Sequence, residues 1–169
     1  MTFSKSDENI DSIVEILKSG GVAVVPTDTV YGFSGIVDLT GNLAFNTDEK
    51  KPLIQLISKP EEVYLFTDKK IPENIIKFWP GPLTVIVPVK DGSPLGEKCP
   101  TVAFRCPGDE WLRTVIERCG APLYSTSVNR SGSPVLETFD EIKAEFEEEA
   151  DVIVDDGDKK GSLPSTLIL

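Results

Sequence analysis

The sequence predicts a single α/β domain, residues 1–169, built on a twisted, mostly mixed β-sheet flanked by helices. Helix-like and strand-like segments alternate along the whole chain, without an internal repeat or a linker. The length of 169 residues suits one domain that buries a real core. A hydrophobic content of 40% and a charged content of 27% are typical of ordinary globular proteins.

Four segments carry helix signals. Ile10, Ile13, Val14 and Leu17 recur at helical spacing before a Gly-Gly pair, and a proline opens the second segment in its first turn. The third segment ends in glycine, and the fourth places three apolar residues on one face. The predicted helices are residues 7–19, 72–79, 109–120 and 138–150.

Apolar runs between these segments predict the strands. Some runs follow a Gly-Pro turn or end at a proline, and others pass directly into polar residues. The predicted strands are residues 22–26, 53–58, 81–89, 101–107, 121–128, 151–157 and 164–169.

Charge and composition exclude several kinds of function. The net charge of -11 and the isoelectric point of about 4.5 disfavour a broad grip on nucleic-acid phosphates. The chain contains no histidine, so it lacks the commonest general base and metal ligand. We therefore expect no metal held by the protein itself, and chemistry that depends on carboxylates, Lys or Arg, hydroxyls and backbone amides.

The sequence also carries no membrane or export signal. No window approaches ~18 uninterrupted apolar residues, and the polar start MTFSKSDENI lacks the apolar core of a secretion signal. Cys99, Cys106 and Cys119 are an odd number without metal-ligand spacing, which favours structural thiols in a reducing compartment. We expect a cytoplasmic protein without a membrane contact.

Polar residues follow or interrupt the strands in four places. These are PTDTVYG, TVAFRCP, STSVNRSG and PSTLIL, whereas a phosphate-binding Walker loop, a G-x-G-x-x-G motif and a G-x-S-x-G elbow are all missing from the sequence. Each polar cluster on its own could be turn or capping chemistry. Together they could line one pocket for a polar small molecule and a phosphate.

Five motifs, in this order, resemble the YrdC-like family of threonylcarbamoyl-adenylate synthases. They are GGVAVVPTDTVYG, FWPGPLTVIV, TVAFRCP, STSVNRSG and GSLPSTLIL, and together they cover most of the chain. The resemblance implies the family's twisted α/β sheet with a concave substrate pocket. It also implies a reaction in which L-threonine, bicarbonate and ATP give threonylcarbamoyl-AMP and pyrophosphate, with Mg²⁺ arriving on ATP.

The resemblance further implies partners and site residues. The threonylcarbamoyl group would pass to an adenosine of tRNA through partner proteins, with at most a weak RNA contact by this chain. Thr29 would contact threonine, Arg105 would pair with its carboxylate, and Ser127 and Ser165 would line the same side. The nucleotide side would contain two residues, Thr101 and Asn129.

Several side chains in these motifs have two possible roles. Arg105 is either a ligand contact or an ion-pair partner, and Arg130 reaches either a phosphate or solvent. Tyr31 either binds or packs on the pocket floor. For Asp28 we favour capping of a turn, and for Trp79 core packing over adenine stacking.

One family segment is missing from the sequence. Family members carry a helix ending in a Lys-x-Arg motif between the YG motif and KPLI, whereas here NTDEK runs directly into KPLI at Lys50–Lys51. Either the chain truly lacks this phosphate-binding segment, or the segment is absent only from the sequence as written. We favour the second explanation, because a true deletion would cut a helix in mid-turn. The catalytic residues therefore stay unassigned, and a C-terminal arginine of the family is likewise absent.

Two other functions compete with the synthase. A non-catalytic nucleotide- or RNA-binding paralogue would keep the fold, and loss of the Lys-x-Arg segment would favour it. A carbamoyl-transfer domain like that of hydrogenase-maturation proteins normally belongs to a much longer chain.

Overall fold

Nine short strands make up the sheet in the described part of the chain. The computed structural model describes residues 1–37, 54–93, 100–130 and 132–169. The strands are β1 (Thr2–Ser4), β2 (Ala23–Val25), β3 (Gly32–Ser34), β4 (Ile54–Leu56), β5 (Leu83–Pro88), β6 (Thr101–Arg105), β7 (Leu123–Ser127), β8 (Val152–Asp155) and β9 (Thr166–Ile168).

The sheet is mixed, as the sequence predicts. Its strand order is β1-β8-β2-β3-β7-β4-β6-β5-β9. The pairs β1–β8, β2–β8, β4–β6 and β5–β9 are parallel, and the pairs β2–β3, β3–β7, β4–β7 and β5–β6 are antiparallel. The seven predicted strands are all present, whereas β1 and β3 were not predicted.

Capping side chains mark the start of two helices, α3 and α4. Asp109 caps α3 by accepting a hydrogen bond of 3.0 Å from the Leu112 amide, and Gly120 ends it with φ of 71°, which favours glycine. Thr138 and Glu141 form a reciprocal capping box at the start of α4. The helices are α1 (Ile10–Lys18), α2 (Glu73–Ile76), α3 (Glu110–Cys119) and α4 (Phe139–Phe146), and 3₁₀ turns cover Asp7–Asn9 and Pro60–Leu65.

The two faces of the sheet carry different cores. The front face is the side on which Ala23, Val25, Leu56 and Leu123 pack against α1 and α3. The back face carries two clusters. One surrounds Phe104 with residues of the segment 63–79, and the other surrounds Val24, Tyr31 and Ile153 with residues of α4. This division follows from the period of two along each strand.

Among the described residues, no helix combines the length and the apolar character needed to cross a membrane.

Candidate functional site

Strand β6 places two of the predicted site residues on the front face. Val102 and Phe104 belong to a back-face cluster. Because side chains alternate along a strand, Thr101, Ala103 and Arg105 point to the front. The register agrees, since Arg105 lies opposite Leu56, which packs against α1 and α3.

Neighbouring strands add two more predicted residues to this face. Leu123 belongs to the front face, so Ser125 and Ser127 on β7 face the same way. On β5, Val85 lies opposite Phe104 on the back, which puts Thr84 in front. The Thr84 and Ser165 hydroxyl oxygens are 2.7 Å apart. The front face therefore gathers Thr101, Arg105, Ser127 and Ser165.

Arg105 sits at the end of β6 and is almost fully buried. Its Nε donates to the Gly81 carbonyl oxygen at 3.2 Å, and its Nη1 donates to Thr29 Oγ1 at 3.0 Å. Its Nη2 donates to Asp28 Oδ1 in a charge-assisted bond. The guanidinium thus joins the turn after β2 to the Gly-Pro turn before β5.

The turn after β2 is held by its own hydroxyl groups. Thr27 Oγ1 donates to the Val30 carbonyl oxygen at 2.7 Å and accepts the Thr29 amide at 3.0 Å. The two Oγ1 atoms of Thr27 and Thr29 are also 3.0 Å apart. Because the Thr27 hydroxyl hydrogen is already donated to Val30, Thr29 is the donor in this second contact. Thr29 Oγ1 also accepts from Arg105, so its remaining capacity is one acceptor lone pair.

Asp28 does not have the role that we favoured for it. The turn is capped by Thr27, whereas the Asp28 carboxylate pairs with Arg105. The carboxylate also lies against the Gly108 backbone, where an added Cβ would come within 2.8 Å of Asp28 Oδ2. Glycine at position 108 therefore makes room for the carboxylate beside the guanidinium.

Burial and the carboxylate act on Arg105 in opposite directions. Removal from water lowers the pKa of the guanidinium, and the negative charge of Asp28 partly offsets this effect. Arginine keeps its proton at ordinary pH despite such a shift. The site therefore contains a fixed positive charge with one matched negative charge.

Ser127 and Asn129 form a second small cluster at the end of β7. Ser127 Oγ donates to Asn129 Oδ1 at 2.6 Å, and Asn129 Nδ2 donates to the carbonyl oxygens of Arg130 and Ser133 at 3.0 and 2.9 Å. These bonds fix the loop that follows the strand. Ser127 is exposed and Asn129 is half-buried, so both retain access to a ligand.

Arg130 is engaged by α4. It forms ion pairs of 2.6 Å with Glu145 and with Glu149, and its guanidinium carbon lies 4.6 Å from the Phe146 ring centroid. The sequence-based interpretations of this arginine were a phosphate contact or solvent exposure, and neither included these acidic partners; its half-exposed side chain is held by Glu145 and Glu149.

Two aromatic side chains pack in the core, as one reading of each predicted. Trp79 is 5% exposed and donates its indole N–H to the Leu83 carbonyl oxygen at 2.6 Å. Tyr31 is fully buried; its hydroxyl donates to the Gly157 carbonyl oxygen at 2.7 Å and accepts the Asp156 amide at 2.8 Å. Burial raises the pKa of Tyr31 to about 12.

Some predictions fall elsewhere in the chain. The Lys50–Lys51 junction and Cys99 lie outside the described residues. Within residues 1–37, 54–93, 100–130 and 132–169, no group of three or more Cys, Asp or Glu side chains could hold a metal ion.

A mixed sheet with a buried arginine and several hydroxyls on one face suits an α/β protein that binds a small polar ligand. The Sua5/YciO/YrdC family model, described as Telomere recombination, matches residues 15–169. The chain belongs to this family.

Individual relatives are similar over most of the chain. A protein of Aliivibrio fischeri named threonylcarbamoyl-AMP synthase is 31% identical, over 82% of this chain and 82% of its own length. A Pyrococcus abyssi protein of the same name is 31% identical over 90% of this chain and 48% of its own length. The chain thus spans about half of the Pyrococcus protein.

A solved structure gives the same picture. The crystal structure of P. abyssi Sua5 complexed with L-threonine has a TM-score of 0.84 and 27% identity, covering 99% of this chain and 53% of that chain. The predicted α/β fold, a mixed sheet flanked by helices, is confirmed.

Sequence reasoning missed three groups that complete the site: Asp28 as an ion-pair partner, Thr27 as the turn cap, and Thr84 as the partner of Ser165. Thr84 had a signal, because it is the polar residue within the apolar run LTVIV. Thr27 had one too, since a threonine hydroxyl in a turn commonly accepts a hydrogen bond from the backbone amide two residues further along.

Proposed function

We propose that this protein is an L-threonylcarbamoyladenylate synthase, a nucleotidyltransferase that makes threonylcarbamoyl-AMP for N6-threonylcarbamoyladenosine modification of tRNA. The names of its relatives support this, as does the P. abyssi Sua5 structure with L-threonine. The observation that carries the proposal is the buried Arg105, which shares the front face with three hydroxyl residues and contacts Thr29.

The free hydrogen-bonding capacity fits a threonine molecule. A guanidinium has five N–H groups, and Arg105 uses three of them on Gly81, Thr29 and Asp28. One N–H on each terminal nitrogen is left for the threonine carboxylate. The lone pair left on Thr29 Oγ1 suits a donor, which threonine offers as its ammonium or its hydroxyl group. Ser127 and Ser165 complete the threonine side.

Thr101 and Asn129 are assigned to the nucleotide side. Thr101 is exposed at the first residue of β6, four residues before Arg105 on the same face. In this proposal Mg²⁺ enters with the ATP phosphates as part of the substrate, and its charge offsets theirs. The protein residues bind and orient the substrates.

The reaction needs positioning more than it needs a protein nucleophile. Threonine and bicarbonate give a carbamate and water, and a carbamate oxygen attacks the α-phosphorus of ATP, from which pyrophosphate leaves. Holding the reactants together can lower the barrier by about 7–11 kcal/mol in favourable cases. The threonylcarbamoyl group would then pass to tRNA through partner proteins. We place the protein in the cytoplasm, where tRNA is modified.

Pyrophosphate release by the intact protein tests this function. The protein is incubated with ATP, bicarbonate and Mg²⁺, with L-threonine, L-serine or L-valine, or without amino acid. The synthase should release pyrophosphate with L-threonine and much less with the other two, because serine lacks the methyl group and valine lacks the hydroxyl. Threonine binding without release would instead establish the non-catalytic paralogue, and absence of threonine binding would overturn the proposal.

A further inference from the structure

We propose that Asp28 is a positioning residue for recognition of the substrate carboxylate. It fixes the Arg105 guanidinium so that the two unused N–H groups stay available to that carboxylate. This inference rests on the proposed function, because it takes threonine as the ligand of the Arg105 site.

The first support is the hydrogen-bond pattern around the guanidinium. Gly81, Thr29 and Asp28 accept from three different nitrogens, so rotation about any bond of the Arg105 side chain would break at least one contact. Three acceptors in three directions define the plane of the guanidinium as well as its position. Asp28 is the one charged group among them, and it therefore makes the strongest of the three contacts.

The second support is charge. Only 6% of the Arg105 side chain is exposed. A buried cation without a counter-charge is strongly unfavourable, and the side chain would move toward water if it could. Among the described residues, Asp28 is the carboxylate that pairs with it. Asp28 therefore keeps the guanidinium inside the site before any ligand arrives.

The third support is the wall behind the carboxylate. A Cβ added at Gly108 would lie 2.8 Å from Asp28 Oδ2, which is too close, so the carboxylate packs directly against this stretch of backbone. The carboxylate is therefore bounded by backbone on one side and by the guanidinium on the other. An acid held in this way can orient its partner, whereas a freely rotating surface acid cannot.

The same contact also links the two threonine-binding candidates. Asp28 directly precedes Thr29, and Arg105 bonds to both residues. Displacement of the Asp28 carboxylate would therefore disturb the guanidinium and the Thr29 hydroxyl together.

The test is calorimetric titration of the full-length protein and of the Asp28→Asn variant. Two probes are used: L-threonine, and L-threoninol, which keeps the ammonium, hydroxyl and methyl groups but lacks the carboxylate. The matched control is Asp11→Asn, because Asp11 pairs with Arg118 at 2.8 Å in an exposed position. ATP binding and the melting temperature are measured for all three proteins.

A positioning role predicts an effect that depends on the carboxylate. Asp28→Asn should weaken L-threonine binding about tenfold or more, because a charge-assisted contact is lost. Binding of L-threoninol and of ATP should change by less than about threefold, which is the scale of an indirect effect. Asp11→Asn should leave all three affinities unchanged.

Each other outcome overturns the inference in a recognisable way. Equal weakening of threonine and threoninol would mean that Asp28 only supports the fold. Unchanged or tighter threonine binding would mean that Asp28 is dispensable or competes with the ligand for Arg105. Failure of the wild-type protein to bind L-threonine would overturn the proposed function itself.

A second variant displaces the acid without removing its charge. In Gly108→Ala the new methyl group would push the Asp28 carboxylate away from its present position. The inference requires the same selective loss of L-threonine affinity, with L-threoninol affinity kept. If Gly108→Ala binds L-threonine like the wild type, the position of the carboxylate does not matter and the inference is wrong.

Discussion

Arg105 and Arg130 are both found in polar motifs at strand ends, yet their surroundings differ. The Arg105 side chain is 6% exposed and bonds to one carboxylate, one hydroxyl and one carbonyl group. The Arg130 side chain is 48% exposed and lies on α4 between Glu145 and Glu149. Arg130 thus has two carboxylate partners where Arg105 has one, but its side chain is far more exposed to water.

The comparison indicates that burial of an ion pair affects stability more than the number of ion pairs does. Exposed ion pairs contribute about 0–1 kcal/mol each, since water and salt screen them. Breaking a buried pair by removing one partner costs about 3–5 kcal/mol. Arg105 should therefore matter for both stability and ligand binding, and Arg130 for neither to a comparable degree.

The largest expected effect is that of Arg105→Met, which keeps the length of the side chain and removes its charge. We expect the free energy of unfolding to fall by about 3 kcal/mol, because Asp28, Thr29 and Gly81 lose a shared donor. L-threonine affinity should fall about 100-fold. Urea denaturation and calorimetry measure the two effects. Near wild-type values for both would contradict the contrast between the two arginines.

Thr27→Val sharpens the comparison by disturbing the turn that Arg105 contacts. Thr27 is 2% exposed, so loss of its hydroxyl leaves the Val30 carbonyl oxygen and the Thr29 amide without this hydrogen-bond partner. We expect the free energy of unfolding to fall by about 2 kcal/mol in urea denaturation. The control is Thr114→Val on α3, where the Thr114 hydroxyl donates to the Glu110 carbonyl oxygen in an exposed position, and the change should stay within about 0.5 kcal/mol. Equal effects of the two substitutions would argue against a role for burial.

Helix and strand prediction succeeded where the pattern was long enough. The period of α1, the glycine at the end of α3 and the apolar runs of β5 and β6 are all readable in the sequence. β1 (TFS) and β3 (GFS) each have one apolar side chain between small or polar residues, so neither forms an apolar run that the sequence would reveal. β1 pairs with the distant β8, and β3 pairs with the neighbouring β2 as well as with the distant β7.

The motif resemblance names candidate site residues, but it does not predict the contacts between them. The resemblance predicts that Thr29 and Arg105 bind the same ligand, and in the structure the two side chains contact each other. The role of Asp28 could not be read, because a carboxylate in a turn is equally suited to capping and to ion pairing. The deciding partner lies 77 residues further along the chain.

Tyr31→Phe tests a buried polar group whose partners are backbone atoms instead of a charge. We expect the free energy of unfolding to fall by about 1.5 kcal/mol at neutral pH, because the hydroxyl both donates and accepts. Burial raises the pKa of Tyr31 from 10.0 to about 12, so the neutral form is favoured in the folded state. Its contribution to stability is complete below pH 10 and is lost as the pH rises from 10 through 12.

The check is urea denaturation of wild type and Tyr31→Phe between neutral pH and strongly alkaline pH. The stability gap between them should narrow above pH 10, where unfolded Tyr31 begins to ionise. Tyr64→Phe, at a tyrosine with 37% exposure, is the control and should leave the alkaline loss of stability in place. A gap that stays constant with pH would show that Tyr31 does not titrate between the two states as described.

Arg130→Met should have the smallest effect. We expect the free energy of unfolding to change less than in any of the other variants, and any loss should shrink at high salt, because the ion pairs are exposed. L-threonine affinity should stay within about twofold of wild type. A loss of L-threonine affinity comparable to that of Arg105→Met would erase the distinction between the two residues.

The position of β8 between β1 and β2 constrains the order in which the protein can fold. β1 and β2 come from the first 25 residues, and neither pairs with the other directly. The strand that joins them, Val152–Asp155, is made long afterwards. During synthesis β2 can pair with β3 early, whereas β1 and the other edge of β2 must stay unpaired until β8 has been made. Pairings of such high sequence separation are slow to form, so this end of the sheet should be the part most dependent on protection from aggregation before folding is complete.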